Sequence, residues 1–380
     1  MYFENEIVNI GNLINNKYKF YAHIQDERVE TLTEHTDLCV KYFNRINGSK
    51  NIDVIFSKFK KLNLNNLSEI GKAVYRKLIV NTITFHDIGK INPLFQDIKM
   101  NNKLNIKEYS YALNSQHSLI SAVIYIDYFI GEIMQLEKNE KTDLVTILFM
   151  NAYVISKHHG NLDEFAKFLS KFNDDEDGFL AIDIIRNNYS NIYSNEFKLS
   201  KSLTKKICKI IKQNLQKKNR EESIYLYTYE RLLFSTLVAC DFYATSEFMN
   251  GVELDEFGDI NAIDEFYDIY KNTERYKSIR KYEETYYNEE KNLLEETNIN
   301  ILRTEMFLDA EKNLMNNINN NIFFLEAPTG SGKSNVSINL SFKLLKENNN
   351  LKKIFYVYPF NTLIEQNIKN LNKTFGESEE

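Results

Sequence analysis

Proline and glycine are scarce in this chain, whose 380 residues include only 3 prolines and 12 glycines. Sheet-rich folds use both residue types in turns and bulges, so their scarcity favours long, uninterrupted helices. Hydrophobic residues make up 43% of the chain and aromatic residues 13%, which allows packed cores and argues against global disorder. A chain of this length is expected to form two domains.

Cysteine and long apolar runs are also scarce. Cys39, Cys208 and Cys240 are scattered and have no CxxC spacing, which favours a reduced, cytoplasmic setting over a disulfide framework. No stretch reaches the roughly 18 apolar residues that span a membrane. Residues 1–20 also lack the basic start and apolar centre of a signal peptide. The sequence therefore predicts a cytoplasmic protein without a membrane partner.

Positive charge is not in excess, since the formal net charge is -6. A uniformly basic nucleic-acid-binding surface is therefore excluded, and any such role depends on local patches. One patch has lysines at spacings of three and four: Lys198, Lys201, Lys205, Lys209 and Lys212. They share one face of a predicted helix, which is either a solvated surface or a weak contact surface for single-stranded DNA.

Most of the first two thirds of the sequence has the apolar periodicity of α-helices. Thr31 and Glu34 form a possible capping box at one helix start, and Gly48 is the predicted end of that helix. A second helix is predicted to run towards His86 and to stop at Gly89. We therefore expect a mainly α-helical domain.

Histidines and aspartates lie on the apolar faces or at the ends of separate predicted helices. They are His35, His86, Asp87, His117, His158, His159 and Asp241. A single histidine on such a face is more often a satisfied core residue. A buried ionised aspartate, however, costs on the order of several kcal/mol unless a cation or strong donors offset it.

Taken together, these side chains predict a dinuclear metal centre, because helical folds build such centres from inward-facing groups on several helices. Imidazoles combined with carboxylates suit Mn, Fe, Co, Ni or Zn better than Mg. Asp87 is the natural bridging ligand. Two neighbouring cations can promote phosphoester hydrolysis, so the predicted chemistry is metal-dependent phosphodiester cleavage.

Five segments carry a family resemblance: "TEHTDL", "FHDIGK", "SQHSLISA", "SKHHGN" and "VACDFYATSEF". Together they resemble the nuclease domain of the CRISPR-associated HD nuclease–helicase of type I systems. The resemblance implies a helical HD-superfamily phosphohydrolase domain over residues 1–250 that degrades single-stranded DNA. It also implies a crRNA-guided surveillance complex as partner.

The same resemblance assigns ligands to two divalent transition-metal ions, which would be Mn, Fe, Co or Ni. One ion would be held by His35, His86, Asp87 and Asp241. The other would be held by Asp87, His117, His158 and His159. Lys90 matches a lysine near the scissile phosphate in this family, the alternative being an exposed lysine at a helix end. His23 matches no motif and is expected to lie outside the site.

Residues 301–380 have a different character. "IFFL" precedes "EAPTGSGKS" and an amphipathic segment, which predicts a βαβ unit with a phosphate-binding loop. The predicted nucleotide-binding residues are Thr329, Gly330, Ser331, Gly332, Lys333 and Ser334. Ala327 replaces the first glycine of the strict pattern, as in superfamily 2 helicases, which this incomplete RecA-like segment resembles. ATP with Mg is the ligand expected in a complete helicase.

Residues 251–300 are acidic, contain interleaved tyrosines and are expected to form a helical, solvated connector. No acidic Walker B segment follows the phosphate-binding loop before Glu380. We therefore expect negligible ATP hydrolysis, and the sequence leaves open a truncated chain, a split subunit or an interrupted gene.

Two other functions remain open at the level of sequence. One is an HD-type phosphohydrolase acting on nucleotides or cyclic oligonucleotides. The GYP motif usual in cyclic-dinucleotide phosphodiesterases of the HD superfamily is not found. The other is a catalytically silent remnant that only docks on the surveillance complex and binds no metal.

Overall fold

The structure is a computed structural model. It describes residues 2–64, 66–106, 113–255, 257, 262–287, 293, 296–348, 351 and 353–376. The chain divides into two compact units, Met1–Asp255 and Glu256–Glu380. No helix among the described residues combines the length and hydrophobicity needed to cross a membrane.

The first unit is a helical bundle with one β-hairpin. The hairpin strands are β1 (Tyr21–Gln25) and β2 (Arg28–Thr31), which pair antiparallel with His23 opposite Glu30. The helices are α1 (Leu32–Lys50), α2 (Ile52–Asn63), α3 (Glu69–Phe85), α4 (Pro93–Met100), α5 (Ser118–Ile133), α6 (Lys138–Lys157), α7 (Phe165–Ser170), α8 (Asp177–Asn188), α9 (Lys201–Lys217) and α10 (Arg220–Asn250). Short 3-10 turns lie at Glu4–Glu6, Ile10–Asn12 and Ile88–Ile91.

The capping box predicted at Thr31 and Glu34 is confirmed. The predicted end at Gly48 is wrong: α1 continues to Lys50, where Asn51 adopts the left-handed conformation with φ 53°. Gly48 therefore lies inside the helix. Asparagine tolerates the left-handed conformation that ends a helix, so glycine is not needed there.

Gly89 is also not a helix stop, because α3 ends at Phe85 and a 3-10 turn follows. A Cβ at Gly89 would lie 2.1 Å from the His117 carbonyl oxygen and 2.7 Å from the Ser121 nitrogen. Its N–H donates to Ser121 Oγ at 2.8 Å. Glycine is required here because the turn packs directly against the backbone at the start of α5.

A buried polar network joins α3, α5, α6 and α10. Asn151 Nδ2 and Tyr125 OH both donate to the Leu78 carbonyl oxygen, at 3.0 Å and 2.6 Å. Tyr229 OH donates to Asn151 Oδ1 at 2.8 Å. Fully buried aliphatic and aromatic side chains surround the network, each stabilising the fold by roughly 1.5–3 kcal/mol. The network fixes the relative positions of helices whose ends carry the candidate site residues.

The second unit contains α11 (Ile263–Lys271), α12 (Glu274–Tyr286), α13 (Ile299–Asn316), α14 (Lys333–Glu347) and α15 (Asn361–Phe375). Its core contains Tyr267, Tyr270, Tyr276, Ile279, Phe307, Leu308, Val336 and Phe342. Tyrosines from the acidic segment are thus buried against α13 and α14. This packing differs from the expected solvated connector, because the aromatic face of the segment supplies core residues.

The βαβ unit expected around the phosphate-binding loop is only partly formed. The helix is present as α14, but within the described ranges the only sheet is the β1–β2 hairpin. Phe324 and Val357, in the two expected strands, are 88% and 91% exposed. A strand obtains its hydrogen bonds from neighbours, and neither segment has a paired neighbour here. The prediction of a mainly helical chain is confirmed.

Candidate metal centre

The structure brings together all seven predicted metal-site residues. They come from different elements: α1 provides His35, the turn after α3 provides His86 and Asp87, the start of α5 provides His117, the end of α6 provides His158 and His159, and α10 provides Asp241. Among the described residues, three overlapping groups have ligand atoms within 4.8 Å of one another, and two of them together contain all seven predicted residues. The first is His35, Cys39, His86 and Asp241, and the second is Asp87, His117, His158 and His159.

Asp87 lies between the two groups and turns one carboxylate oxygen towards each. Oδ1 is 3.1 Å from His117 Nε2 and 3.3 Å from His158 Nε2. Oδ2 is 3.5 Å from both His35 Nε2 and His86 Nε2. This arrangement suits a bridging ligand.

Two of the histidines are oriented by backbone carbonyls at helix ends. His86 Nδ1 donates to the Ile83 carbonyl oxygen at 2.7 Å, and His158 Nδ1 donates to the Ile155 carbonyl oxygen at 2.6 Å. A carbonyl can only accept, so Nδ1 carries the proton in both rings. With the proton on Nδ1, Nε2 of each ring points into the cluster and is the atom available for metal ligation.

The inward-facing atoms lack ordinary hydrogen-bond partners. In the described part of the chain, His86 Nε2, His158 Nε2 and both Asp87 oxygens are buried with no partner in hydrogen-bonding geometry, and the one close cation is Lys90 Nζ, 2.7 Å from Asp87 Oδ2. Buried polar atoms are nearly always satisfied, so a concentration of orphaned lone pairs indicates a missing electrophile. Divalent cations fit this donor set of imidazoles and carboxylates.

The electrostatics favour ionised carboxylates in the cluster. Burial raises the pKa of Asp87, but the positive charge of Lys90 and the adjacent imidazoles hold that pKa well below its usual range. Burial likewise raises the pKa of Asp241, but the His35 imidazole 3.2 Å away and the neighbouring His86 ring lower that pKa overall. Both aspartates are therefore anionic at neutral pH.

The histidines divide into two classes. Burial lowers the pKa of His117, and burial together with neighbouring His158 lowers the pKa of His159 to about 4. These rings are neutral at pH 7 and ready to bind a cation. Burial also acts to lower the pKa of His35, but Cys39, Asp241 and Glu30 raise it well above its usual value. His35 therefore carries a proton that a cation must displace.

Lys90 is not an exposed lysine at a helix end, since it is 3% exposed. Its Nζ lies 2.7 Å from Asp87 Oδ2 and donates to the Ala22 carbonyl oxygen at 3.2 Å. A buried ion pair of this kind holds the carboxylate ionised and restricts its rotation.

The expectation that His23 lies outside the site is wrong. Its ring centroid is 4.7 Å from that of His35, and its Nε2 is 3.3 Å from Lys90 Nζ. Its Nδ1 lies 2.7 Å from Glu30 Oε2, and the same Glu30 oxygen is 3.3 Å from His35 Nδ1. The hairpin produces this contact because His23 and Glu30 are paired across its strands.

Sequence reasoning missed Glu30 and Cys39 as well as His23. Cys39 Sγ is 3.5 Å from His35 Nε2, one helical turn along α1. Its i, i+4 spacing from His35 was the available signal. For Glu30 the signal was a hairpin pattern around Asp26, which has φ 55° at the turn.

The lysine face of α9 is solvent-exposed and makes charge pairs away from the cluster. Lys201 pairs with Asp183, and Lys205 Nζ lies 2.6 Å from Asp174 Oδ2. Lys209 and Lys212 are exposed. Among the described residues, these ion pairs join α9 to Asp183 and Asp174 and not to the candidate metal ligands.

The phosphate-binding loop lies in the second unit, where Gly330 and Gly332 have φ values of 79° and 92°. A helix follows the loop, as predicted, and this helix, α14, begins at Lys333. Lys333 Nζ donates to the carbonyl oxygens of Ala327 and Pro328, at 2.5 Å and 3.0 Å. Arg303 Nε donates to the Gly330 carbonyl oxygen at 2.9 Å. Thr329, Ser331 and Ser334 lie in the same loop or the first turn of α14.

Comparison with known proteins gives two family matches. The family model described as Cas3, HD domain matches residues 52–243, just over half of the chain. The family model described as Type III restriction enzyme, res subunit matches residues 277–380. The first match contains six of the seven candidate ligands, and the second contains the phosphate-binding loop. No curated protein and no solved structure matches the chain.

Proposed function

The chain belongs to the Cas3 HD domain family and carries a helicase-family segment, and on that premise we propose that it is a metal-dependent nuclease that cleaves single-stranded DNA in type I CRISPR interference. The observation that carries the proposal is the position of Asp87, with one carboxylate oxygen facing each of two histidine groups. This geometry supports hydrolysis of a phosphodiester at a dinuclear centre.

The residues present fit two divalent transition-metal ions. His35, His86 and Asp241 would hold one, His117, His158 and His159 would hold the other, and Asp87 would bridge them. Such ions supply Lewis acidity to a phosphodiester and to water, and stabilise charge as it develops on the phosphate oxygens. Mn, Fe, Co and Ni match the mixture of imidazole and carboxylate donors.

The chain's own residues set the direction of approach. His35 and His86 are fully buried, whereas His117 is 11% exposed and His159 is exposed, with their Nε2 atoms 3.1 Å apart. A substrate phosphate therefore meets the second group first. The burial of Lys90 favours a role in keeping Asp87 ionised over direct contact with that phosphate.

The wider proposal includes partners. We place the chain with a crRNA-guided surveillance complex that delivers the DNA, and we assign ATP with Mg to the phosphate-binding loop at Lys333. The match of the second unit to a helicase-family model supports the nucleotide assignment. Family membership supports the surveillance complex as partner.

The test of this function is cleavage by the purified chain, supplied with Mn²⁺, Co²⁺ or Ni²⁺. The substrates are circular single-stranded DNA, mononucleotides and a cyclic dinucleotide. We expect cleavage of the circular DNA, loss of at least about a hundredfold in Asp87→Ala, and full activity in Asp37→Ala, an exposed aspartate on α1.

Hydrolysis of nucleotides alone would replace the nuclease with a nucleotide phosphohydrolase. Absence of any hydrolysis, together with absence of bound metal by elemental analysis, would favour a silent docking protein.

A further inference from the structure

The first histidine group contains a thiol to which the proposed function gives no role. Cys39 lies on α1 one helical turn after His35, and its side chain is fully buried. Its sulfur lies within 4.8 Å of one ligand atom each of His35, His86 and Asp241. Side chains four residues apart on a helix lie on the same face and can hold one cation together.

The distances around the thiol are those of atoms that share a cation. A sulfur and a nitrogen bound to one ion at about 2.3 Å and 2.0 Å are roughly 3.0–3.7 Å apart for ligand angles of about 90–120°. Cys39 Sγ is 3.5 Å from His35 Nε2. The same nitrogen is 3.2 Å from Asp241 Oδ1. The thiol is therefore within reach of an ion that His35 and Asp241 hold.

A second observation points to a ligand at the same place. His86 Nε2 belongs to this group and is buried without a hydrogen-bond partner among the described residues. Cys208 and Cys240 are buried as well, but neither belongs to a ligand group that the described residues form. Within the described part of the chain, Cys39 is thus the buried cysteine that faces candidate ligands.

We propose that Cys39 is a ligand of the ion in the first group, and that its sulfur makes this position select thiolate-binding metals, Co²⁺, Fe²⁺ or Zn²⁺, over Mn²⁺. The inference rests on the dinuclear centre of the proposed function and adds the metal preference of one of its two positions. On binding, the S–H bond breaks, the proton passes to the buffer, and the sulfur forms a bond to the cation. Mn²⁺ prefers oxygen donors, so we expect it to bind through the imidazoles and carboxylates and to leave the thiol protonated.

The two positions of the centre then differ in their chemistry. With Cys39 and the bridging Asp87, the first group offers five protein donors, of which Asp241 is the most exposed at 17%. The second group has no sulfur donor and includes the exposed His159. A position filled by protein ligands is closed to substrate, so we assign the position that meets the substrate to the second group.

The test is the absorption spectrum of the metal-free chain, with its thiols reduced, during titration with Co²⁺. A thiolate bound to Co²⁺ gives a sulfur-to-metal charge-transfer band in the near ultraviolet, which imidazoles and carboxylates do not give. We expect this band in the wild-type chain and its loss in Cys39→Ser. Cys208→Ser and Cys240→Ser, matched controls at buried cysteines outside the ligand groups, are expected to keep it.

Two spectroscopic results overturn the proposal. One is a wild-type chain that binds two Co²⁺ ions without the band, which decides the question even if Cys39→Ser does not fold. The other is a band that persists in Cys39→Ser and disappears in Cys240→Ser, because the thiolate would then come from α10.

Metal selectivity gives a second readout, which a purely structural cysteine would not change. Cys39 Sγ is also within hydrogen-bonding distance of His35, and loss of that contact alone would weaken the binding of Co²⁺ and Mn²⁺ equally. We expect Cys39→Ser to weaken Co²⁺ binding by at least about tenfold and to leave Mn²⁺ binding nearly unchanged, measured by competition with a chromophoric chelator. Equal losses for the two ions, or no loss for Co²⁺, contradict a thiolate ligand.

The spectrum also separates this inference from the proposed function. If the band depends on Cys39 and the chain cleaves no DNA, the thiolate ligand stands and the nuclease assignment fails. If the Co²⁺-loaded chain cleaves DNA and shows no band, the nuclease assignment stands and the thiolate ligand is wrong.

Discussion

At the scale of single residues, the candidate metal centre depends on how buried charges are balanced. Asp87 and Lys90 are 1% and 3% exposed and form an ion pair of 2.7 Å. Removing one partner of a buried pair leaves an uncompensated charge, which costs more than the pair itself contributes. The pair therefore has a measurable effect on the metal-free protein.

Lys90→Met is expected to destabilise the metal-free first unit by about 3 kcal/mol, because it leaves the Asp87 carboxylate buried without its cation. Saturating Mn²⁺ is expected to restore part of that loss, since a bound cation supplies the missing positive charge. Lys58→Met, at an exposed position of α2, serves as the control. Denaturant unfolding with EDTA and with Mn²⁺ measures both effects, and equal stability of the two variants would contradict the account.

Metal binding is expected to depend on pH through His35. Its pKa is raised above the usual value, so the ring is protonated at pH 7 in the metal-free protein, and ligation displaces about one proton. Affinity should then rise with pH until the pH exceeds this raised pKa. His159, with a pKa of about 4, is already neutral and contributes no proton at pH 7.

Calorimetric titration with Mn²⁺ in two buffers of different ionisation enthalpy measures the released protons. His35→Asn should abolish the release, whereas His159→Asn should preserve it. Identical apparent enthalpies in the two buffers for the wild-type chain would show that His35 is neutral or is not a ligand.

At the scale of elements, helix ends and a close backbone contact position the ligands. His86 follows α3 and His158 follows α6. The last backbone carbonyls of a helix have no partner within the helix, so here they accept hydrogen bonds from the imidazole rings of these two histidines. The turn containing Gly89 then packs against the start of α5, where His117 lies. The close approach of this turn to the residue that carries the His117 ring thus depends on one glycine.

Gly89→Ala is expected to destabilise the first unit by at least about 2 kcal/mol and to weaken metal binding, because its Cβ would lie 2.1 Å from the His117 carbonyl oxygen. Gly48→Ala is the matched control, because nothing lies within 4 Å of a Cβ there. As a helix-interior substitution, it should stabilise by roughly 0.5–1 kcal/mol. Thermal unfolding and Mn²⁺ titration distinguish the two, and equal behaviour would contradict the packing argument.

Apolar periodicity was sufficient to predict that the first unit is mainly helical and that His35 and Asp241 face inward. His35 and Asp241 occupy positions that the 3.6-residue repeat turns inward, and Thr31 is the N-cap of α1, as the capping pattern indicates. Periodicity could not predict the burial of Lys90 or the approach of His23 and Glu30. Those contacts depend on how a hairpin and a 3-10 turn pack in three dimensions, which no local repeat encodes.

At the scale of the whole molecule, the chain forms two units, and all seven candidate ligands lie in Met1–Asp255. The phosphate-binding loop lies in the other unit. The strands predicted around that loop remain unpaired in the described residues. A strand of a parallel sheet needs neighbouring strands to pair with, and the local sequence pattern does not show whether such neighbours are present. Domain limits at residues 250 and 300 remain predictions.

The most direct test of the central claim is the number of cations bound per chain, measured by equilibrium dialysis against Mn²⁺ followed by elemental analysis. We expect about two per wild-type chain, about one in Asp241→Ala or His159→Ala, and fewer than about one in Asp87→Ala, because the carboxylate oxygens of Asp87 face both histidine groups. Two cations retained by Asp87→Ala, or fewer than two bound by the wild-type chain, would contradict a dinuclear centre bridged by Asp87.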